Sequence, residues 1–223
     1  MSKQSIQWRN YIIELLVVII GISIAFMLEG WSAGKKQDTL ERNYLNSLKS
    51  DLLKDKEDLQ EIMDSTTVLI KNVGTAFQLI YGKRPDSEFR RHHVTSTYLA
   101  TYFYPQNGTY VSLINSGDIS VVKDFELKKS LSNLYNIEYQ EMERVDNVVR
   151  NLVDNMLHPY MINNVEFSIT RDGIESADPL KANRCINMMG SYFNLLSYRQ
   201  QHYQALLAKC DALIAEVEKA IGS

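Results

Sequence analysis

Glu14 is the side chain whose chemistry and position are hardest to reconcile. It is a carboxylate in a run, residues 11–28, that is otherwise apolar apart from Ser23. An ionisable group in such a run marks a proton- or ion-handling site, a polar contact between helices, or a side chain reaching back to the water boundary. Gly21 follows seven residues later and Ala25 four after that. On a helix these three share one stripe, and a small-xxx-small pair lets two helix backbones approach closely. Glu14, Gly21 and Ala25 are therefore the candidate self-association residues.

The remaining reactive side chains form no catalytic pattern. Four histidines (92, 93, 158, 202) lack an HExxH or comparable ligand spacing, and His92 and His93 point about 100° apart on a helix, which does not suit one metal. No nucleophile elbow surrounds any serine, and no glycine-rich phosphate loop occurs. The expectation is a protein without catalytic residues, metal or cofactor. Cys185 and Cys210 are the only cysteines. On one straight helix they stand ~37 Å apart, whereas disulfide Cα atoms must lie within about 7 Å. Cys210 reads as a small buried hydrophobe, and Cys185 lies beside the seam. Tyr98, Tyr102, Tyr104 and Tyr110, with Phe103, cluster around a Pro105–Gly108 loop. They read as core packing or as a candidate partner surface, because tyrosine suits amphipathic contacts. Lys83, Arg84, Arg90, Arg91, His92 and His93 make a basic patch beside them, which reads as a solvated face.

What positions these residues is a hydrophobic pattern of helical period. Residues 11–28 would rise ~27 Å as a helix, close to the hydrocarbon thickness of a bilayer. Trp8 and Trp31 flank the run, where aromatic rings favour the headgroup region. The segment ends in Glu29 without a small-x-small cleavage site, so an uncleaved anchor is expected rather than a signal peptide. The expected organisation is a short tail over 1–10, a transmembrane helix over 11–31, a juxtamembrane linker over 32–37 and a helical bundle over 38–223. Lys3 and Arg9 on one flank nearly balance Lys35, Lys36 and Arg42 on the other. The short N-terminal flank leads us to expect it inside and the bundle outside.

Residues 38–81 lack proline and carry a 3-4 apolar seam through Leu45, Leu48, Leu52, Leu59, Ile62, Leu69, Val73, Ala76 and Ile80, interrupted at Asp55 and Thr66. Pro85 ends this helix. A shorter helix is expected from Ser87 to about Tyr104, then one or two turns from Thr109 to Ser116 stopped by Gly117. Asp124 caps a third long helix, with Leu127, Leu131, Leu134, Met142, Val145, Val149, Leu152 and Met156 on its stripe and its end near Pro159. Residues 163–178 read as a loop with a short extended piece at 165–170. The last helix starts at Pro179 and its seam is Ile186, Met189, Phe193, Leu196, Gln200, Tyr203, Leu207, Cys210, Ile214, Val217 and Ile221. Amphipathic helices of this kind must bury their stripes together. The fold class is all-α: one N-terminal transmembrane helix, then an antiparallel bundle of three long helices and one or two short ones. Net charge is −3, so no basic excess points to nucleic acid.

The N-terminal pattern of Glu14, mid-run Gly21, Ala25 and Trp31 resembles an uncharacterised family of single-span membrane proteins, a domain of unknown function common in Bacteroidota. The likeness continues through Tyr44, Leu45, Asn46, Ser47 and Leu48, and into Leu113, Ile114, Asn115, Ser116 and Gly117. Ile13 stands where that family usually has glycine, and Met27 to Gly30 replace an amide-rich stretch. The resemblance implies a bacterial inner membrane and a helical, periplasmic domain. It supplies no activity. The expected function is a membrane-anchored, non-enzymatic interaction or scaffold protein with the lipid bilayer, further copies of itself and an unidentified protein as partners. The alternatives are a ligand-sensing bundle, against which stands the lack of a second span and output domain, and an oligomeric pore or membrane effector using Glu14.

Overall fold

The computed structural model describes residues 8–222, so the expected tail over 1–10 lies largely outside the described residues. The chain is all-α, and among the described residues the one β-type feature is an isolated bridge between Phe167 and Ile174. Helix α1 (Trp8–Ile80) is a single rod of 73 residues, about 110 Å long at helical rise. The rod is continuous across 32–37, where a linker was expected: those residues are helical. Nothing there breaks a helix, since Gly34 is an isolated glycine among good helix formers. The far end of α1 stops at Gly82, whose φ of +69° suits glycine. Gly82 N–H bonds to Leu79 O and Lys83 N–H to Gln78 O, the paired bonds of a Schellman stop.

Short helices α2 (Arg91–Thr95) and α3 (Gly108–Asn115) follow, then α4 (Phe125–Asn133), α5 (Tyr139–Leu152), α6 (His158–Asn164), α7 (Asp178–Lys181) and α8 (Asn183–Gly222). The expected helix from Ser87 to Tyr104 is corrected to a 3-10 turn at Asp86–Glu88 followed by α2, and residues 99–107 form no regular element. The last helix begins at Asn183 rather than Pro179, because Ala182 is extended (φ −65°, ψ 135°) and sets α7 apart.

Asp124 caps α4 as expected, accepting from Glu126 N–H and Leu127 N–H. Helices α4, α5 and α6 are joined by π turns at Leu134–Glu138 and Val153–Leu157. Each wide turn shifts the phase of the buried stripe. Val153 and Leu157 are buried where Leu152 and Met156 were expected, and Met156 is 44% exposed. The second π turn also carries the helix past Pro159. His158 N–H reaches back to Val153 O, so the widened turn accommodates the ring that would clash with a tighter one.

Cross-element partners fix the directions. From base to far end, α1 meets α8 at Lys49–Glu218, Lys56–Asp211 and Thr66–Arg199, so the two are antiparallel. α5 meets α8 at Tyr139–Cys210 and Asp146–Tyr203, so α5 runs with α1. The segment between them descends along α1, from Ser96 on Asn72 to Lys123 on Asp38. The architecture is up-down-up-down, with a largely non-helical second member.

Every seam residue expected on α1 is buried, together with the interruptions Asp55 and Thr66, both 0% exposed. On α8 the stripe is turned slightly: Arg199 and Leu206 are buried, while Ile186, Phe193, Gln200, Leu207 and Ile221 are half-buried. The π turns give a sharp test. Leu157→Asp should destabilise the full chain by about 3–5 kcal/mol, because it buries an unpaired charge. Met156→Asp, one residue away, should stay within about 0.5 kcal/mol. Thermal melts in detergent followed by circular dichroism check this, and the reverse ranking would mean a straight helix without the phase shift.

Candidate functional site

Residues 99–106 form a strap laid against α1, α5 and α8. Its extension follows from its anchors. Thr101 O accepts from Arg199, which also donates to Thr66, and Gln106 N–H donates to Asp55. Five extended residues cover about 16 Å, the same distance as the helical rise from Asp55 to Thr66. A peptide segment laid over helices has no neighbouring strand to take its backbone bonds, and unpaired buried groups are rarely tolerated. Here side chains take them.

Asp146 is central. Its Oδ2 accepts from Phe103 N–H (3.1 Å), and both carboxylate oxygens lie 2.8 Å from the Tyr203 hydroxyl. Arg199 Nη1 lies 3.7 Å from Asp146 Oδ1 and donates to Thr101 O (2.9 Å), while Nη2 donates to Thr66 Oγ1 (2.9 Å). Tyr192 donates to Leu99 O (2.6 Å). Nearer the base, Asp55 accepts from Gln106 N–H (2.7 Å) and from the Tyr139 hydroxyl (2.5 Å), which lies 3.8 Å from Cys210 Sγ. Thr109 N–H donates to Asp51. Thr66, Asp146 and Arg199 lie between two apolar clusters: Ile62, Val145 and Tyr203 belong to one, Leu69, Val149 and Leu196 to the other.

The electrostatics follow from closure. Burial pushes the Asp55 carboxyl up to about 6, against the bonds from Tyr139 and Gln106 that favour the anion. Burial also raises Asp146, opposed by Tyr203 and the Arg199 guanidinium. Burial raises the thiols of Cys185 and Cys210 to about 12, so both are poor nucleophiles. Both are free. The cluster is a fastening for the strap, with Asp55, Thr66 and Arg199 fully enclosed.

The aromatic residues proposed from sequence separate here. Tyr104 is 66% exposed and its hydroxyl accepts from Arg150. Tyr102 is half-buried, with the Arg150 guanidinium 4.5 Å from its ring centre and that of Arg199 5.8 Å on. Tyr98 packs on His158. Tyr110 is buried, stacked on Tyr135 at 4.3 Å, which removes it from any outer surface. The basic patch is largely committed: Arg84 pairs with Glu88, and Arg91 donates to Ser168 O. His93 is buried, its Nδ1 accepting from Arg90 N–H, and burial lowers it to about 4. Among the described residues no group of three or more His, Cys, Asp or Glu side chains could hold a metal ion.

Glu14, Gly21 and Ala25 all lie on the exposed part of α1, within about 40° of one another around its axis. Trp8 and Trp31 are 70% and 62% exposed, and Lys35 Nζ lies 4.0 Å over the Trp31 ring. Asp146, Arg199 and Thr101 were not singled out in the sequence. The signal was there in part: Asp55 and Thr66 break the α1 seam, and Asp146 stands between Val145 and Val149.

The fold defines a class: an all-α bundle with one extended member, built onto a long apolar helix. The chain belongs to a family of unknown function, DUF6090, whose model matches residues 14–158. That match spans α1 from Glu14 onward, the strap and α5, whereas Arg199 and Tyr203 lie beyond it. No curated protein and no solved structure matches the chain.

Two outcomes test the fastening. Arg199→Ala should cost about 3–5 kcal/mol, since it strands Asp146, Thr101 O and Thr66 together; a loss below about 1 kcal/mol, read by chemical denaturation, would mean the pair is not enclosed. For Asp55, the raised value means that the fold favours its neutral form. That advantage is present below about pH 4 and is lost as pH rises through about 6. Raising pH from 4 to 7 should therefore cost the wild type about 2 kcal/mol more than Asp55→Asn. The paired comparison cancels His93, whose lowered value acts oppositely, its stability being lost as pH falls from about 6.5 through about 4. Parallel profiles for the two proteins would show that Asp55 is not the titrating group.

Proposed function

We propose that the chain is a membrane-anchored, non-enzymatic interaction or scaffold protein that self-associates through its apolar helix and holds its bundle on the exoplasmic side of a bacterial inner membrane. One observation carries this reading. The apolar run is a helix long enough to cross a bilayer, and every large apolar side chain from Tyr11 to Leu28 is at least half exposed. Such an unsheltered surface is far larger than the patches soluble monomers carry, and a lipid environment would cover it. The rod geometry supports a display role. From Leu28 to Asp38, where the bundle begins, α1 rises about 15 Å without a break, so the bundle is carried on a stiff stem. The residues around Asp146 are spent on fastening the strap, which accords with a binding rather than a catalytic module.

Alkaline carbonate extraction should leave the protein in the membrane pellet, and an exoplasm-dependent reporter after Ser223 should be active. Extraction into the supernatant, or a reporter active in the cytoplasm, would overturn the anchor or the orientation. For self-association, Gly21→Ile should shift the native mass in nanodiscs or detergent toward monomer, because a bulky side chain separates the backbones. Ser23→Ile places the same bulk on the opposite face and should leave the oligomer unchanged. If both variants match the wild type, the span does not carry the contact.

A further inference from the structure

Two buried carboxylates fasten the strap, and they differ in one respect. Asp146, at its far end, stands 3.7 Å from Arg199, a cation at every physiological pH. Asp55, at its base end, is wholly enclosed and takes its bonds from two neutral groups, the Gln106 N–H and the Tyr139 hydroxyl. The titratable groups around Asp55 are acids, phenols and a thiol. Asp51 and Asp58 on α1 both oppose its ionisation. Tyr135 comes from the π turn at Leu134–Glu138, Tyr110 from α3, Tyr139 from α5, and Cys210 with Asp211 from α8. The lysines nearby are engaged by other acids: Lys54 by Asp58, Lys56 by Asp211 and Lys209 by Glu138.

The cluster completes its hydrogen bonds in either protonation state. As an anion, Asp55 accepts from Gln106 and Tyr139, and the Cys210 thiol can donate to the Tyr139 oxygen 3.8 Å away. With a proton on Oδ2, the carboxyl donates to the Tyr139 oxygen, the Tyr139 hydroxyl turns to Cys210 Sγ, and Oδ1 still accepts from Gln106. What separates the two states is charge. An enclosed anion with no cation beside it is unfavourable, and contact with water relieves it. Burial accordingly pushes the Asp55 carboxyl up to about 6. The base end of the strap lies over the carboxylate and belongs to no regular element, so it can lift without breaking a helix.

We propose that Asp55 is a proton-operated latch on the strap: protonated, it holds residues 104–108 closed over α1, and as an anion it lets that end open while Asp146 and Arg199 keep the far end in place. The sign follows from linkage. The closed form has the raised value, and the open form, with Asp55 in water, the ordinary one near 4. Closure has its full advantage below about pH 4 and loses it as pH rises through about 6. On the exoplasmic side of a membrane the acidity of the surroundings sets the latch. Only that source of acid rests on the exoplasmic reading, and failure of the latch would leave carbonate extraction and the Gly21→Ile oligomer result untouched.

Amide hydrogen exchange of the full chain in nanodiscs tests this, with each rate referred to the unstructured rate at the same pH. At pH 7.5 the Gln106 amide, on Asp55, should be at least tenfold less protected than that of Phe103, on Asp146. Sub-denaturing urea should leave Gln106 exchange unchanged, because a local opening exposes little surface. Lowering the pH to 4.5 should raise Gln106 protection at least tenfold. Asp55→Asn can make the same bonds without a charge, so its Gln106 amide should stay protected throughout and lose this pH response. The wild-type measurements need no variant to fold. The proposal is overturned if Gln106 and Phe103 respond to urea alike, the mark of global unfolding alone. It is equally overturned if Gln106 protection is flat with pH, or if Asp55→Asn keeps the wild-type pH response.

Discussion

A non-helical segment laid against a helical bundle needs hydrogen-bond partners that helices do not offer, and the Asp146–Arg199 pair answers that need. Each helix has used its backbone groups internally, so the strap's carbonyls and N–H groups can be met by side chains alone. Asp146 supplies an acceptor for Phe103, Arg199 a donor for Thr101, and each charge compensates the other at 3.7 Å. Removing either leaves a buried charge and a buried backbone group unmatched. The network therefore sets where the strap lies, and through it how α1, α5 and α8 are spaced.

Buried ion pairs are weak contributors to net stability, because desolvation offsets most of their attraction. Their use here is positional. The apolar clusters on either side of Thr66, Asp146 and Arg199 would tolerate a helix sliding by a turn, since one apolar residue follows another along each stripe. The polar layer does not tolerate it: one turn of slip would bring Arg199 against apolar residues and leave Asp146 facing none of its partners. Polar residues that specify register within an apolar seam are a known device of helical assemblies. Asp55 with Tyr139 and Gln106 repeats it about three turns nearer the base.

How much of this is legible in the sequence depends on where the information is held. The apolar run, the α1 seam and the cap at Asp124 are local patterns of spacing and type, and they read correctly. The strap does not, because residues 96–104 carry no signal that distinguishes a short helix from a strand held by distant side chains. Its conformation is decided by Asp146, more than forty residues on, and by Arg199, nearly a hundred residues on. The same holds for the π turns. A strict 3-4 spacing leads to Leu152 and Met156, and one added residue per wide turn moves burial to Val153 and Leu157. On α8, Gln200 holds the apparent seam position while its neighbour Arg199 is the buried one, since a charged residue reads as surface until its partners are known. Asp55 and Thr66 showed as interruptions, and their meaning became clear once the strap lay over them.

The continuity of α1 ties these local arrangements together. One helix is the apolar segment, the stem and the scaffold on which Asp55 and Thr66 hold the strap. A flexible linker at 32–37 would have let the bundle turn independently of the apolar segment. An unbroken helix instead fixes the rotation of one against the other: each residue advances about 100°, so the face bearing Gly21 and Ala25 has a set angle to the face bearing Leu45 and Leu48. If copies meet through the first face, the direction in which each bundle presents its strap is determined as well. Assembly in the membrane and the orientation of the bundle are then one geometric choice, made by the length of a single helix.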